Sequence, residues 1–345
     1  IHVSFNGTSF VNNTAKGDGG AAYIHANSGQ IYVDLKAGSL SENSAQNGGG
    51  LFVNPGGSAK AFITVSGEAE ISGNKAKTSG GGISVSNGSV ILSGGSLKGN
   101  SATNGGGGVY VNGGDVTVTA GSIEYNEAQN GGGVYLTGGA FTLNGESASI
   151  NNNNATHGGG VYLTKINPTL LQGSITENTA TENGGGIFIN QQIVALQPTG
   201  AVRITKNQAK NGAGLYINGT VGNTDAGFSV NPSSSGTVTL TDNIASKNGG
   251  GVYVNNGFFT MNTDHLILQK NGAQNGGAVY VNGGNATLSV GTIDQNTASQ
   301  DGGGVYVANG NFVMEGGSVS NNTAAQHGAG IYVNGGEATI RDGSI

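Results

Sequence analysis

One motif recurs along the entire chain: an apolar residue, two variable residues, Asn, one residue and Ala, then a Gly-rich turn and an apolar-aromatic-apolar triplet. The clearest copy is Ile123-Glu124-Tyr125-Asn126-Glu127-Ala128, followed by Gly131-Gly132-Gly133 and Val134-Tyr135-Leu136. Its Asn falls at Asn13, Asn43, Asn74, Asn100, Asn126, Asn153, Asn178, Asn207, Asn243, Asn271, Asn296 and Asn322, at intervals of 25 to 36 residues. A repeat in this range means a stacked or radial array, because each unit buries its apolar face only against its neighbours.

Helical repeats need amphipathic stretches of ten or more residues with few glycines. Here the apolar runs are three to five residues long, and 68 of 345 residues are Gly. Strand side chains alternate, so Val134 and Leu136 point one way and Tyr135 the other. Phe141-Thr142-Leu143 behaves in the same way, and Ile123 ends a third short strand. Three short strands per turn of about 26 residues describe a parallel β-helix. Propeller blades need about 40–45 residues, and leucine-rich repeats place several Leu at fixed offsets. The expected fold is all-β: one parallel solenoid of 12–13 turns, triangular in section. It is expected to span 1–345 as one segment uncapped at both ends, with an inserted loop near 221–237. The four prolines, Pro55, Pro168, Pro198 and Pro232, are expected in loops, because Pro cannot donate to a strand ladder.

The composition excludes other classes. There is no Cys, hence no disulfide framework or thiolate metal site. The formal charge is −6 and Arg203 and Arg341 are the only arginines, which argues against a nucleic-acid partner. No apolar run is long enough to cross a membrane as a helix.

The Asn column predicts a ladder along the axis, since each amide offers two donors and two acceptor lone pairs. The Ala two residues after each Asn suits a tight inward corner. The aromatic position holds Tyr23, Phe52, Tyr110, Tyr135, Tyr162, Phe188, Tyr216, Tyr253, Tyr280, Tyr306 and Tyr332, broken only by Ser84. With apolar neighbours facing inward, this stripe faces outward. It is the candidate contact surface, for another copy of the protein or for sugar rings, although ring-on-ring stacking alone also accounts for it. A Thr column (Thr64, Thr117, Thr142, Thr260, Thr287, Thr339) raises ice binding, but Val313 interrupts it and β-branched residues suit exposed strands.

No catalytic residue stands out. Acidic residues such as Glu42, Glu124, Glu177, Asp242 and Asp294 are scattered, without the paired carboxylates of glycoside hydrolysis. His157 and His327 occupy a turn slot that holds Asn130 or Asp301 elsewhere, so they read as polar turn residues. No metal and no cofactor is expected.

Phe10-Val11-Asn12-Asn13 and the Gly-Gly-apolar motifs Gly49-Gly50-Leu51 and Gly303-Gly304-Val305 resemble the right-handed parallel β-helix of pectate-lyase-like proteins. More closely, they resemble the repeats of bacterial polymorphic outer membrane proteins and autotransporter passengers. Leu40, Ile71 and Val319 take the place of Phe10 in other copies. The resemblance implies a right-handed helix and an exported, extracellular protein of the bacterial cell surface, often an adhesin. The sequence thus predicts a non-catalytic structural or adhesive solenoid, a surface fibre or filament subunit. Other copies of itself are the first expected partners, and cell-surface glycans or proteins the next. The alternative is a carbohydrate-binding or polysaccharide-degrading β-helix protein.

Overall fold

The structure, a computed structural model, describes residues 1–164, 167–222 and 225–345. The chain is an all-β, right-handed parallel β-solenoid of about 12 turns, with no helix among the described residues. It divides into two compact units, Ile1–Thr169 and Leu170–Ile345.

In the first unit, one turn runs through the strands Val109–Asn112, Val116–Glu124 and Glu127–Asn130. The middle strand bends, and its register with the next turn shifts between Val118 and Ser122. A turn therefore has four straight segments, where the sequence predicts three. The additional one follows the motif Asn. Its copies Ser44–Ala45, Lys75–Ala76, Ser101–Ala102, Glu127–Asn130 and Asn154–His157 pair in parallel as a sheet of their own. The motif Ala lies within this sheet rather than at a corner. Ala76, Ala102 and Ala128 are 6–7 % exposed and form one apolar cluster. Their small side chains let a short sheet lie close against the core.

The core follows from strand alternation. Val134, Leu136, Phe141, Leu143 and Ile150 are each fully buried. In the second unit, Val252, Val254, Leu266 and Leu268 do the same. Phe228 and Phe259 stack inside it on successive turns, with centroids 6.1 Å apart.

Two local expectations change. Segment 221–237, expected as an inserted loop, contains the strand Gly227–Val230. That strand pairs with Ile193–Leu196 and Phe258–Thr260, and Phe228 and Val230 are fully buried. The extra length lies on either side of the strand; residues 223 and 224 fall outside the described residues. Phe228 explains the difference: an apolar residue at strand spacing is better buried than looped out. Pro55 closes a strand and Pro168 is the second residue of another, rather than lying in loops. Strand ends tolerate a missing N–H.

The glycine triplets are a geometric requirement. Gly131 has φ 60°, and a Cβ there would collide with the carbonyl oxygen of Val134. The second glycine sets the approach of turns: a Cβ on Gly49 would lie 2.6 Å from Gly81 O. Gly113 also has positive φ (78°) but faces open space. Gly113→Ala is therefore expected to cost about 1–2 kcal/mol of backbone strain. Gly131→Ala adds the collision and is expected to cost more than the strain alone. Urea unfolding of the two variants checks this; equal losses would contradict it.

Candidate functional site

The most regular polar feature is the Asn column. Asn126 N and Nδ2 both donate to Asn153 Oδ1, at 3.0 and 2.9 Å. Nδ2 donates its second hydrogen to Leu97 O at 3.0 Å. Oδ1 in turn accepts from Asn100 N and Nδ2, both at 3.0 Å. All four valences of the amide are filled, and Asn126 is fully buried. Asn13, Asn43, Asn74 and Asn100 repeat these bonds in the first unit. Asn178, Asn207, Asn243, Asn271, Asn296 and Asn322 repeat them in the second. Asn13 is exposed and Asn322 half-buried.

A companion column was not legible as such in the sequence. The residue before each ladder Asn lies in the left-handed region: Asn12, Glu42, Gly73, Gly99, Tyr125, Asn152, Glu177, Lys206, Asp242, Lys270, Gln295 and Asn321, with φ of 53–62°. Ten of the twelve are not glycine. Each such residue costs about 1–3 kcal/mol of strain, and the conformation turns the following Asn inward onto the ladder. The available signal was the absence of β-branched residues at this position. It also accounts for Glu42, Glu177 and Asp242, whose place is a turn requirement and not a catalytic cluster.

The aromatic stripe lies outside the core, each ring four residues after a positive-φ glycine. In the second unit Phe188, Tyr216, Tyr253, Tyr280 and Tyr306 stack with centroids 4.8–5.1 Å apart and interplanar angles of 11–19°. Tyr332 continues the column at 5.0 Å and 42°. In the first unit Tyr23 stacks on Phe52 at 5.6 Å. Ser84 interrupts, and the sequel Tyr110–Tyr135–Tyr162 is edge-to-face, at 61° and 79°. Phe52, Phe188, Tyr216, Tyr253 and Tyr306 are buried, whereas Tyr23 is half exposed. Of the two accounts that the sequence offers for the stripe, ring-on-ring stacking is the one seen here. In the second unit the ring faces are spent on each other, so they offer edges and hydroxyls but no platform for a sugar.

Polar columns flank the rings. On one side Asn211, Asn248 and Asn275 each donate Nδ2 to the Oδ1 one turn before, at 3.0–3.2 Å. Asp301 and His327 continue that column, with His327 Nδ1 2.7 Å from Asp301 Oδ1. On the other side Asn218, Asn255, Asn282 and Asn309 do likewise at 2.8–3.3 Å. Burial pushes the phenols of Tyr162, Tyr216, Tyr253 and Tyr280 up to about 12.

Charged side chains also serve turn-to-turn contact. Lys98–Glu124, Lys206–Glu177, Lys210–Glu182 and Arg341–Glu315 pair across neighbouring turns at 2.7–3.6 Å. Exposed pairs of this kind contribute about 0–1 kcal/mol. Among the described residues no group of three or more His, Asp or Glu could hold a metal ion. The Thr column is interrupted in the first unit too, by Ile91 between Thr64 and Thr117.

Residues 49–225 match the family described as the right-handed beta helix region. The chain belongs to this right-handed β-helix family. Residues 7–25 match the Chlamydia polymorphic membrane protein repeat, a stretch that contains Phe10-Val11-Asn12-Asn13. That stretch is therefore similar to the polymorphic membrane protein repeat. No curated protein and no solved structure gives a significant match.

Asn126→Asp keeps the shape but removes both amide donors, and a buried ionised carboxylate is costly. Burial raises the folded-state pKa of the new Asp above its unfolded value of about 3.9, so the variant loses stability as pH rises. The penalty is expected to be several kcal/mol at pH 8 and smaller at pH 4; a pH-independent penalty would contradict this. For the tyrosines, folded pKa values of about 12 lie above the unfolded value of 10.0. Their contribution is complete below pH 10 and is lost as pH rises towards 12. Absorbance at 295 nm is expected to show a late-ionising class coincident with loss of circular dichroism.

Proposed function

We propose that this chain is part of a surface-exposed, autotransporter-like passenger whose solenoid has a structural and adhesive role and performs no catalysis. The observation that carries this reading is the polymorphic membrane protein repeat at residues 7–25, continued by the same motif to Asn322. The use of the polar side chains supports it. Among the described residues, Asn, Tyr, Lys and Glu side chains are engaged between turns, as a stiff scaffold requires. Within each unit, a parallel ladder with few charged residues leaves outer faces that can be varied without disturbing the core. The proposed partners are further copies of the same chain and molecules of an opposing cell surface.

Antibodies raised against the purified 345-residue chain test the location. They are expected to label intact cells that produce the protein naturally, and protease added outside is expected to remove the signal. Labelling that requires permeabilised cells would overturn the surface reading. Sedimentation velocity tests the self-association separately: mass that grows with concentration supports it, and a monomer throughout removes that part of the proposal.

A further inference from the structure

In the unit Ile1–Thr169 a cleft of about 380 Å³ opens on the outer side of the turns that follow the aromatic strands. Small-molecule sites span ~300–1,000 Å³. Its floor is backbone: Gly88, Gly114 and Gly139 stack so tightly that a Cβ on Gly114 or Gly139 would collide with the carbonyl of the glycine before it. A wall with an aromatic face rises at one end. Tyr32 stacks on one side of Phe62 at 5.4 Å and 20°. The parallel register puts Ser89 opposite the other side of that ring, on the next turn.

One turn further stands Asp115, whose carbonyl accepts from Val90 N at 2.8 Å. Asp115 Oδ1 accepts from Ala140 N at 2.8 Å, which fixes the carboxylate and leaves Oδ2 for a ligand. Turns of a parallel sheet lie about 4.8 Å apart, so the Phe62 ring and Asp115 are separated by roughly two spacings. With only Ser89 between them, the space takes one six-membered ring at van der Waals distance from Phe62. Lys60 and Asn87 line the sides.

The ligand must therefore have an apolar ring face and a hydroxyl-bearing rim. An added peptide strand does not suit the cleft, because its backbone groups are already paired. Asn87 N donates to Asn112 O at 2.7 Å, and Gly113 N to Thr137 O at 2.8 Å. A phosphorylated ligand does not suit it either, since Asp115 repels an anion and Lys60 is the one cation in the lining. We infer that this cleft binds one pyranose unit of a neutral glycan, with the ring face on Phe62 and the hydroxyls on Asp115 Oδ2 and Ser89 Oγ. The inference goes beyond the surface reading and stands without it.

The test is calorimetric titration and saturation-transfer NMR of the whole chain with neutral hexasaccharides: cellohexaose, maltohexaose, chitohexaose, mannohexaose and xylohexaose. At least one is expected to bind. Phe62→Ala removes the platform, and Ser89→Phe covers its second face without removing any packing. With melting temperature unchanged, each is expected to weaken binding by roughly tenfold or more, the equivalent of about 1.4 kcal/mol. Failure of all five probes to bind would overturn the inference. So would binding that survives Ser89→Phe, even if Phe62→Ala fails to fold.

Discussion

The amide ladder is the interaction on which the rest depends. A parallel solenoid has to turn inward sharply once per coil, which would strand polar groups against an apolar core. The Asn at that corner fills all its valences from the turns before and after it, and it also closes the open carbonyl of the preceding strand, as Asn126 Nδ2 does for Leu97 O. Every amide points the same way along its unit, so each bond polarises the next. The left-handed residue before each Asn is the strained partner in this arrangement. Its recurrence with Glu, Lys, Gln and Tyr, and not only with Gly or Asn, indicates that the ladder over-determines the backbone there.

The other columns extend the same logic outward. The positive-φ glycine lets the chain reverse. The aromatic ring four residues later packs beside that turn and stacks on its counterparts, and amide columns border the stack. In the second unit this gives an outer seam of rings and amides parallel to the inner ladder. Outside these columns stand exposed apolar side chains such as Tyr23 and Val221, and places where glycine replaces side chains and opens a cleft.

Much of this was legible in the sequence because the period is explicit. Spacing alone places Asn126 beside Asn100 and Asn153, and alternation places Val134 and Leu136 inside. The fourth segment was not legible: Ser44–Ala45 is two residues long, too short to show alternation. The strand Gly227–Val230 was hidden by the irregular length around it, and Phe228 was its only strong signal. Exposure of the stripe could not be read from alternation either, because alternation gives the side on which Tyr253 lies and not what its neighbours cover. The cleft beside Phe62 depends on Ser89 and Asp115 standing on successive turns, a juxtaposition set by register.

The central claim is that the motif amides are buried, fully bonded structural elements. Side-chain hydrogen exchange followed by NMR tests it most directly, at the Nδ2 groups of Asn100, Asn126, Asn243 and Asn271. The account predicts protection comparable to that of the backbone amides of Val134 and Val252 in the core strands. Exchange at the rate of a free, solvated amide would contradict it.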